Sequence, residues 1–232
     1  MIDGSAWVLV TAGAFVGTHF ILSHPLRRPL VAVLGEAGFA VFYSAIAALS
    51  LGATVWAYRA APVTWPAWAV GDGLWAVATV VMLAASILLL GSLVRNPALA
   101  GGTTPAATAQ ARGVYAVTRH PMMWAFALWG ACHILVFPIA KNVILSGAII
   151  LLALVGAALQ DRKRASRDPQ GWAAWQGRTS YWPFVAILQR RAAFGGVSSH
   201  AVAGGFLVWL VATWAHAPLT GWSAGIWRWL GG

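Results

Sequence analysis

Negative charge is nearly missing from this chain. Five of its 232 residues are Asp or Glu against fifteen Lys and Arg, and charged side chains of both signs make up only 9%. A water-solvated protein carries about 25%, so the deficit excludes an ordinary soluble domain and leaves lipid as the solvent of most of the exterior. Cysteine is scarcer still. Cys132 stands alone in an apolar run, which excludes a disulfide framework. No acid lies deep in an apolar stretch, since Glu36, Asp72 and Asp161 all fall near stretch ends. That placement argues against a carboxylate proton relay and a carboxylate-rich metal site. The Met1-Ile2-Asp3 start lacks the basic region of a secretory signal, so the first apolar stretch is expected to be retained. No fixed-period repeat or low-complexity linker divides the sequence, and residues 1–232 read as a single domain.

What is abundant is apolar length. Hydrophobic residues make up 60% of the chain, the mean hydropathy is +0.74, and a bilayer core needs about 20 apolar residues per helix. Six stretches meet or approach that length: Ala6–Ser23, Gly38–Tyr58, Val70–Leu93, Pro121–Phe137, Asn142–Leu159 and His200–Ala215. The fold class is therefore all-α, a polytopic membrane helix bundle of about six transmembrane helices. The last stretch is the shortest and is followed by Pro218. Gly13 and Gly17 make a small-xxx-small pair on which a neighbouring helix could approach closely.

The loops after the first, third and fifth stretches hold twelve of the fifteen Lys and Arg. Positive charge remains on the cytoplasmic side, so both termini are expected on the outer side. Trp65, Trp68, Trp222, Trp227 and Trp229 then belong to the outer interface, and Trp172, Trp175 and Trp182 to the inner one. A net charge of +10 placed this way meets anionic membrane lipid, not nucleic acid. Two cytoplasmic connections stand out. Arg95–His120 begins as an irregular loop with Pro97, Gly101, Gly102 and Pro105. Asp161–Arg191 begins as a charged helix extension, is broken at Pro169-Gln170-Gly171, and continues as a Trp-rich amphipathic piece along the membrane surface.

Ionisable groups inside apolar helices are costly and are functional candidates for that reason. His19 lies about 10 Å and His133 about 17 Å from their respective cytoplasmic helix ends, at 1.5 Å per residue. Two such imidazoles suit a bis-histidine haem. Met122, Phe126, Trp129, His133 and Phe137 recur at helical spacing and form one apolar face. The residues alone leave open the alternative that each histidine bonds to a neighbouring carbonyl or hydroxyl and the stripe is packing. Cys132, one residue from His133, points about 100° away and reads as a small buried hydrophobe. Tyr115, Arg119 and His120 precede Pro121 at a helix start, where an anion site and a lipid-phosphate anchor are both open readings.

Gly17-Thr18-His19-Phe20, Leu34-Gly35-Glu36-Ala37-Gly38-Phe39 with Tyr43-Ser44, Trp56-Ala57-Tyr58, and Arg119-His120-Pro121 with Trp129-Gly130-Ala131-Cys132-His133 occur in that order. Together they resemble the NnrU family over nearly the whole chain. The resemblance implies a single NnrU-like transmembrane domain in the bacterial inner (cytoplasmic) membrane, with a role in nitric oxide and denitrification metabolism. It also implies kinship with 15-cis-zeta-carotene isomerase, a membrane protein that uses haem b. Its two haem-holding histidines correspond to His19 and His133. Haem b and nitric oxide, or a hydrophobic small molecule, are the ligands this suggests. The isomerase relatives carry a cysteine three residues before the second histidine, where this chain has Gly130, which bears against a thiolate switch. The Tyr115 to Pro121 segment is more distantly similar to the isoprenylcysteine carboxyl methyltransferase and sterol reductase superfamily. That likeness implies a cofactor site at Tyr115, Arg119 and His120. Asp161 replaces the usual glutamate there, and Trp172 and Trp175 replace tyrosines.

Overall fold

The structure, a computed structural model, describes residues 4–98 and 104–230. Met1-Ile2-Asp3, Gly101 and Gly102 lie outside the described residues. The helices, in chain order, are α1 Gly4–Ser23, α2 Arg27–Ala60, α3 Asp72–Gly91, α4 Val114–Val117, α5 Pro121–Val136, α6 Ala140–Arg167, α7 Pro169–Arg178, α8 Val185–Leu188, α9 Ser199–Thr220 and α10 Trp227–Leu230. No strand occurs among the described residues. The all-α membrane class is thus the observed one, with α1, α2, α3, α6 and α9 each long and apolar enough to span.

The short member of the set is not the last stretch. α9 continues through Pro218 to Thr220, because a proline near a helix C-terminus removes only one of the final hydrogen bonds. α5 is the short one, 16 residues long, about 24 Å against a hydrocarbon core of about 30 Å. Pro121 starts it and Pro138 stops it soon after Val136.

The chain forms two compact units. The first contains Met1–Val70 and His133–Leu152. In it α1 and α2 run antiparallel, with Val8 packed against Ala57 and Ala61. The contact stripe on α1 is Ser5, Val8, Ala12, Val16 and Leu22, all buried at three-, four- or six-residue spacing. Gly13 and Gly17 are off that stripe. A Cβ on either would meet nothing within 4 Å among the described residues, so the small-residue pair is not where a neighbour approaches. α2 is broken at Gly35, whose φ of 70° and ψ of 170° are open to glycine and not to side-chain-bearing residues. Arg27, expected in a loop, begins a short helical segment ahead of that break and pairs with Glu36 at 2.7 Å. The end of α2 is held by Lys141 at the start of α6. Its buried Nζ donates to the carbonyl oxygens of Tyr58 at 3.2 Å and Ala61 at 2.7 Å.

The second unit contains Gly71–Cys132 and Ala153–Gly232. Here α3 and α9 lie antiparallel in close contact. A Cβ on Gly205 would fall 2.6 Å from the Ile87 Cα, and one on Gly91 would meet Val114 Cγ1 at 2.6 Å and Ala201 Cβ at 3.3 Å. These glycines, not Gly13 and Gly17, permit the close approach that small residues provide between apolar helices. α7 is capped by Asp168, whose carboxylate accepts from Gly171 N at 3.0 Å, with Pro169 at its first position. The expected break is therefore a helix start. Trp172 and Trp175 do not lie at an interface as expected. They are 1% and 0% exposed and pack with Ala98, Ala106, Ala109, Val114 and Tyr115. The capped helix turns its indole face onto the Arg95–His120 connection, and that apolar contact removes both rings from solvent and lipid alike.

Candidate functional site

The segment before α5 is clamped to the segment after α7, both in the second unit. Arg119 N donates to Ser180 O at 2.8 Å, Phe184 N to Val117 O at 2.7 Å, and Thr118 Oγ1 to Tyr181 O at 2.7 Å. This extended crossing fixes the directions of the next two side chains. Arg119 Nε and Nη2 lie 2.7 and 2.6 Å from Asp161 Oδ2, and His120 Nε2 lies 2.7 Å from Asp161 Oδ1. Tyr181 completes the cluster. Its ring lies 5.8 Å from both the Arg119 guanidinium carbon and the His120 ring centre, and its hydroxyl donates to Leu154 O at 2.6 Å. Burial pushes that hydroxyl's pKa above its ordinary value, with Asp161 adding to the effect and Arg119 opposing it.

Tyr115, expected alongside Arg119 and His120, has different partners. Its hydroxyl faces Ser92 O at 3.1 Å and Val94 O at 2.9 Å, and its ring meets Trp175 edge-on at 5.8 Å. Burial holds the phenol protonated, far above the ordinary tyrosine range. Sequence reasoning placed Asp161 near a stretch end and as a substitute in a motif, gave it no partner, and did not see Tyr181. The available signal was scarcity: in a chain with five acids, one standing beside a basic helix extension needs a cationic partner.

His19 and His133 both belong to the first unit. His19 Nδ1 lies 2.7 Å from Phe15 O. A carbonyl oxygen only accepts, so Nδ1 carries a proton in this contact, and in the neutral tautomer that matches it the lone pair is on Nε2. The ring meets Phe15 at 4.4 Å and Tyr43 at 5.5 Å, both edge-on. His133 is in the last turn of α5, where Asn142 Nδ2 donates to its carbonyl oxygen at 2.8 Å. Both histidines are half-buried. The predicted stripe on α5 is the less buried face of that helix. Phe126 is exposed and Met122, Trp129, His133 and Phe137 are half-buried, whereas Ala125, Ala127, Gly130 and Cys132 are buried. Cys132 is the small buried residue expected of it. Among the described residues no three His, Cys, Asp or Glu side chains gather into a metal-binding group.

Taken with the five long apolar helices, these features define a membrane-type helical protein in which the polar groups inside helices are few and individually placed. The chain belongs to the NnrU family, described as NnrU protein, which it matches over residues 8–224. Comparison with curated proteins and with solved structures gave no match.

Proposed function

We propose that the chain is a haem b-binding NnrU-family protein of the bacterial cytoplasmic membrane, acting in nitric oxide metabolism, with His19 and His133 as the residues that would hold the haem. One observation carries the reading. His19 donates from Nδ1 to the Phe15 carbonyl, a bond that a packed histidine also makes, as His216 does to Ala212 O; in the matching neutral tautomer it leaves Nε2 as the basic nitrogen, beside an aromatic face. A main-chain carbonyl that fixes the tautomer in this way is the usual support of a metal-binding imidazole. The donor chemistry fits haem, which brings four nitrogen ligands of its own and asks the protein for one or two more. The half-buried aromatic face of α5 around His133 suits a flat apolar macrocycle. Bound haem would supply a redox-active iron able to bind a small diatomic ligand. An isomerase-like reading rests on the same two histidines and is separated by assay in a pigment-producing host. The methyltransferase- or reductase-like reading has less support, because Asp161 already occupies the donors of Arg119 and His120.

Absorption spectroscopy of the purified protein tests this. Wild type should show a low-spin haem spectrum that His19→Ala and His133→Ala each abolish or convert to high spin. A colourless wild-type protein that takes up no haem on reconstitution would overturn the proposal.

A further inference from the structure

The second unit contains a cleft of about 1100 Å³, separate from the Arg119 cluster and independent of the haem reading. It opens where α3 ends at Gly91 and α9 begins near His200, beneath the connection that carries Arg112. Arg95, Arg112, Arg178, Arg191 and His200 line it, together with small apolar residues and Tyr115, and among the described residues no acidic one does.

Charge accounting makes the cleft unusual. Every described carboxylate is engaged elsewhere: Glu36 with Arg27, Asp72 with Arg228, Asp161 with Arg119 and His120, and Asp168 with Gly171 N. The four arginines therefore face one another's space with no described protein counter-ion. Two are held in place by main-chain carbonyls. Arg178 Nη2 donates to Ala106 O and Ala107 O at 3.0 and 2.8 Å. Arg191 Nη1 donates to Gln176 O, Gly177 O and Thr179 O around the end of α7. These bonds satisfy N–H groups and leave both charges uncancelled. The side chains of Arg95, Arg112 and His200 are exposed and make no hydrogen bond or ion pair among the described residues. A concave surface with one sign of charge concentrates anions of the other sign, and guanidinium forks match phosphate oxygens in particular.

We propose that this cleft binds a phosphate-bearing ligand, with the phosphate received by Arg95, Arg112 and His200 and the remainder of the ligand against the small apolar wall. Arg178 and Arg191 act as fixed positive charges behind it. The phosphate comes either from an anionic lipid headgroup or from a soluble phosphate ester, since the chemistry recognised is the same.

Two binding measurements on the full chain test this and distinguish the sources. Inorganic pyrophosphate is titrated into detergent-solubilised protein, and nanodiscs containing phosphatidic acid are compared with nanodiscs of phosphatidylcholine alone. Binding in at least one arm should weaken by about tenfold or more in R95Q/R112Q. R95K/R112K, which keeps the charge and loses the fork, should weaken it less than R95Q/R112Q does. The double variant R162Q/R167Q removes the same charge from exposed positions outside the cleft and should change binding by less than about twofold if the effect is local. The arm that responds identifies the source. Binding in neither arm, equal loss in R95Q/R112Q and R162Q/R167Q, or as large a loss in R95K/R112K as in R95Q/R112Q with helicity intact overturns the proposal.

Discussion

Asp161 receives Arg119 on one carboxylate oxygen and His120 on the other, at 2.6 to 2.7 Å, in a setting where the three side chains are at most 12% exposed. The acid comes from α6 and the two donors from the turn before α5, so one carboxylate fastens the start of one apolar helix to the end of another. Removing one partner of a buried ion pair leaves the other charge desolvated and unpaired. Asp161→Asn should cost about 3 to 5 kcal/mol, read as a lowered unfolding midpoint in detergent. Combined with Arg119→Gln, the loss should fall well short of the sum of the single losses, because the second change removes a charge already orphaned.

Lys141 should behave as a cap. It is buried, and among the described residues its Nζ bonds only main-chain oxygens, those of Tyr58 and Ala61, while lying 5.0 Å from the Tyr58 ring centre. Lys141→Met keeps the stem and deletes the donor. It should cost about 1 to 3 kcal/mol, with hydrogen exchange accelerated in the last turn of α2 and unchanged in α9.

Two glycine substitutions should differ sharply. Gly205→Ala places a Cβ against the backbone of Ile87, so α3 and α9 must move apart, at a cost of about 1 to 3 kcal/mol. Gly13→Ala meets nothing within 4 Å among the described residues and should lie within about 0.5 kcal/mol of wild type. Paired unfolding curves in one detergent check both.

If His19 ligates iron through Nε2, a small ligand should replace its ring. His19→Gly should lose the low-spin spectrum, and millimolar imidazole should restore it. Phe15 contributes only its carbonyl to the tautomer, so Phe15→Leu should leave the spectrum in place. A low-spin spectrum unchanged in His19→Gly without imidazole would remove His19 from the ligand set.

The membrane class and the approximate position of each long helix were legible in the chain because they depend on composition. A run of about 20 apolar residues satisfies its own backbone and needs no tertiary partner to be recognised. Cys132 was legible on the same basis, a small apolar side chain within an apolar helix. His19 and His133 stood out because imidazoles are costly in such runs, although the tautomer of His19 required the Phe15 carbonyl to be placed.

Tertiary structure decided the relationships between residues distant in sequence. Asp161 pairs with Arg119 and His120 across about forty residues of chain. Trp172 and Trp175 are in a protein core and not at an interface, because a capped helix folds them onto a loop that hydropathy reads only as polar. The glycines in tight contact are Gly91 and Gly205, not the Gly13 and Gly17 that fit a spacing rule. Among the loop arginines that a positive-inside count treats as interchangeable, Arg27 and Arg119 are paired with acids, Arg178 and Arg191 are tied to carbonyls, and Arg95 and Arg112 are open to the cleft. Sequence sets how many charges a loop has; only packing determines which of them are already neutralised, because that depends on distances the chain does not encode locally.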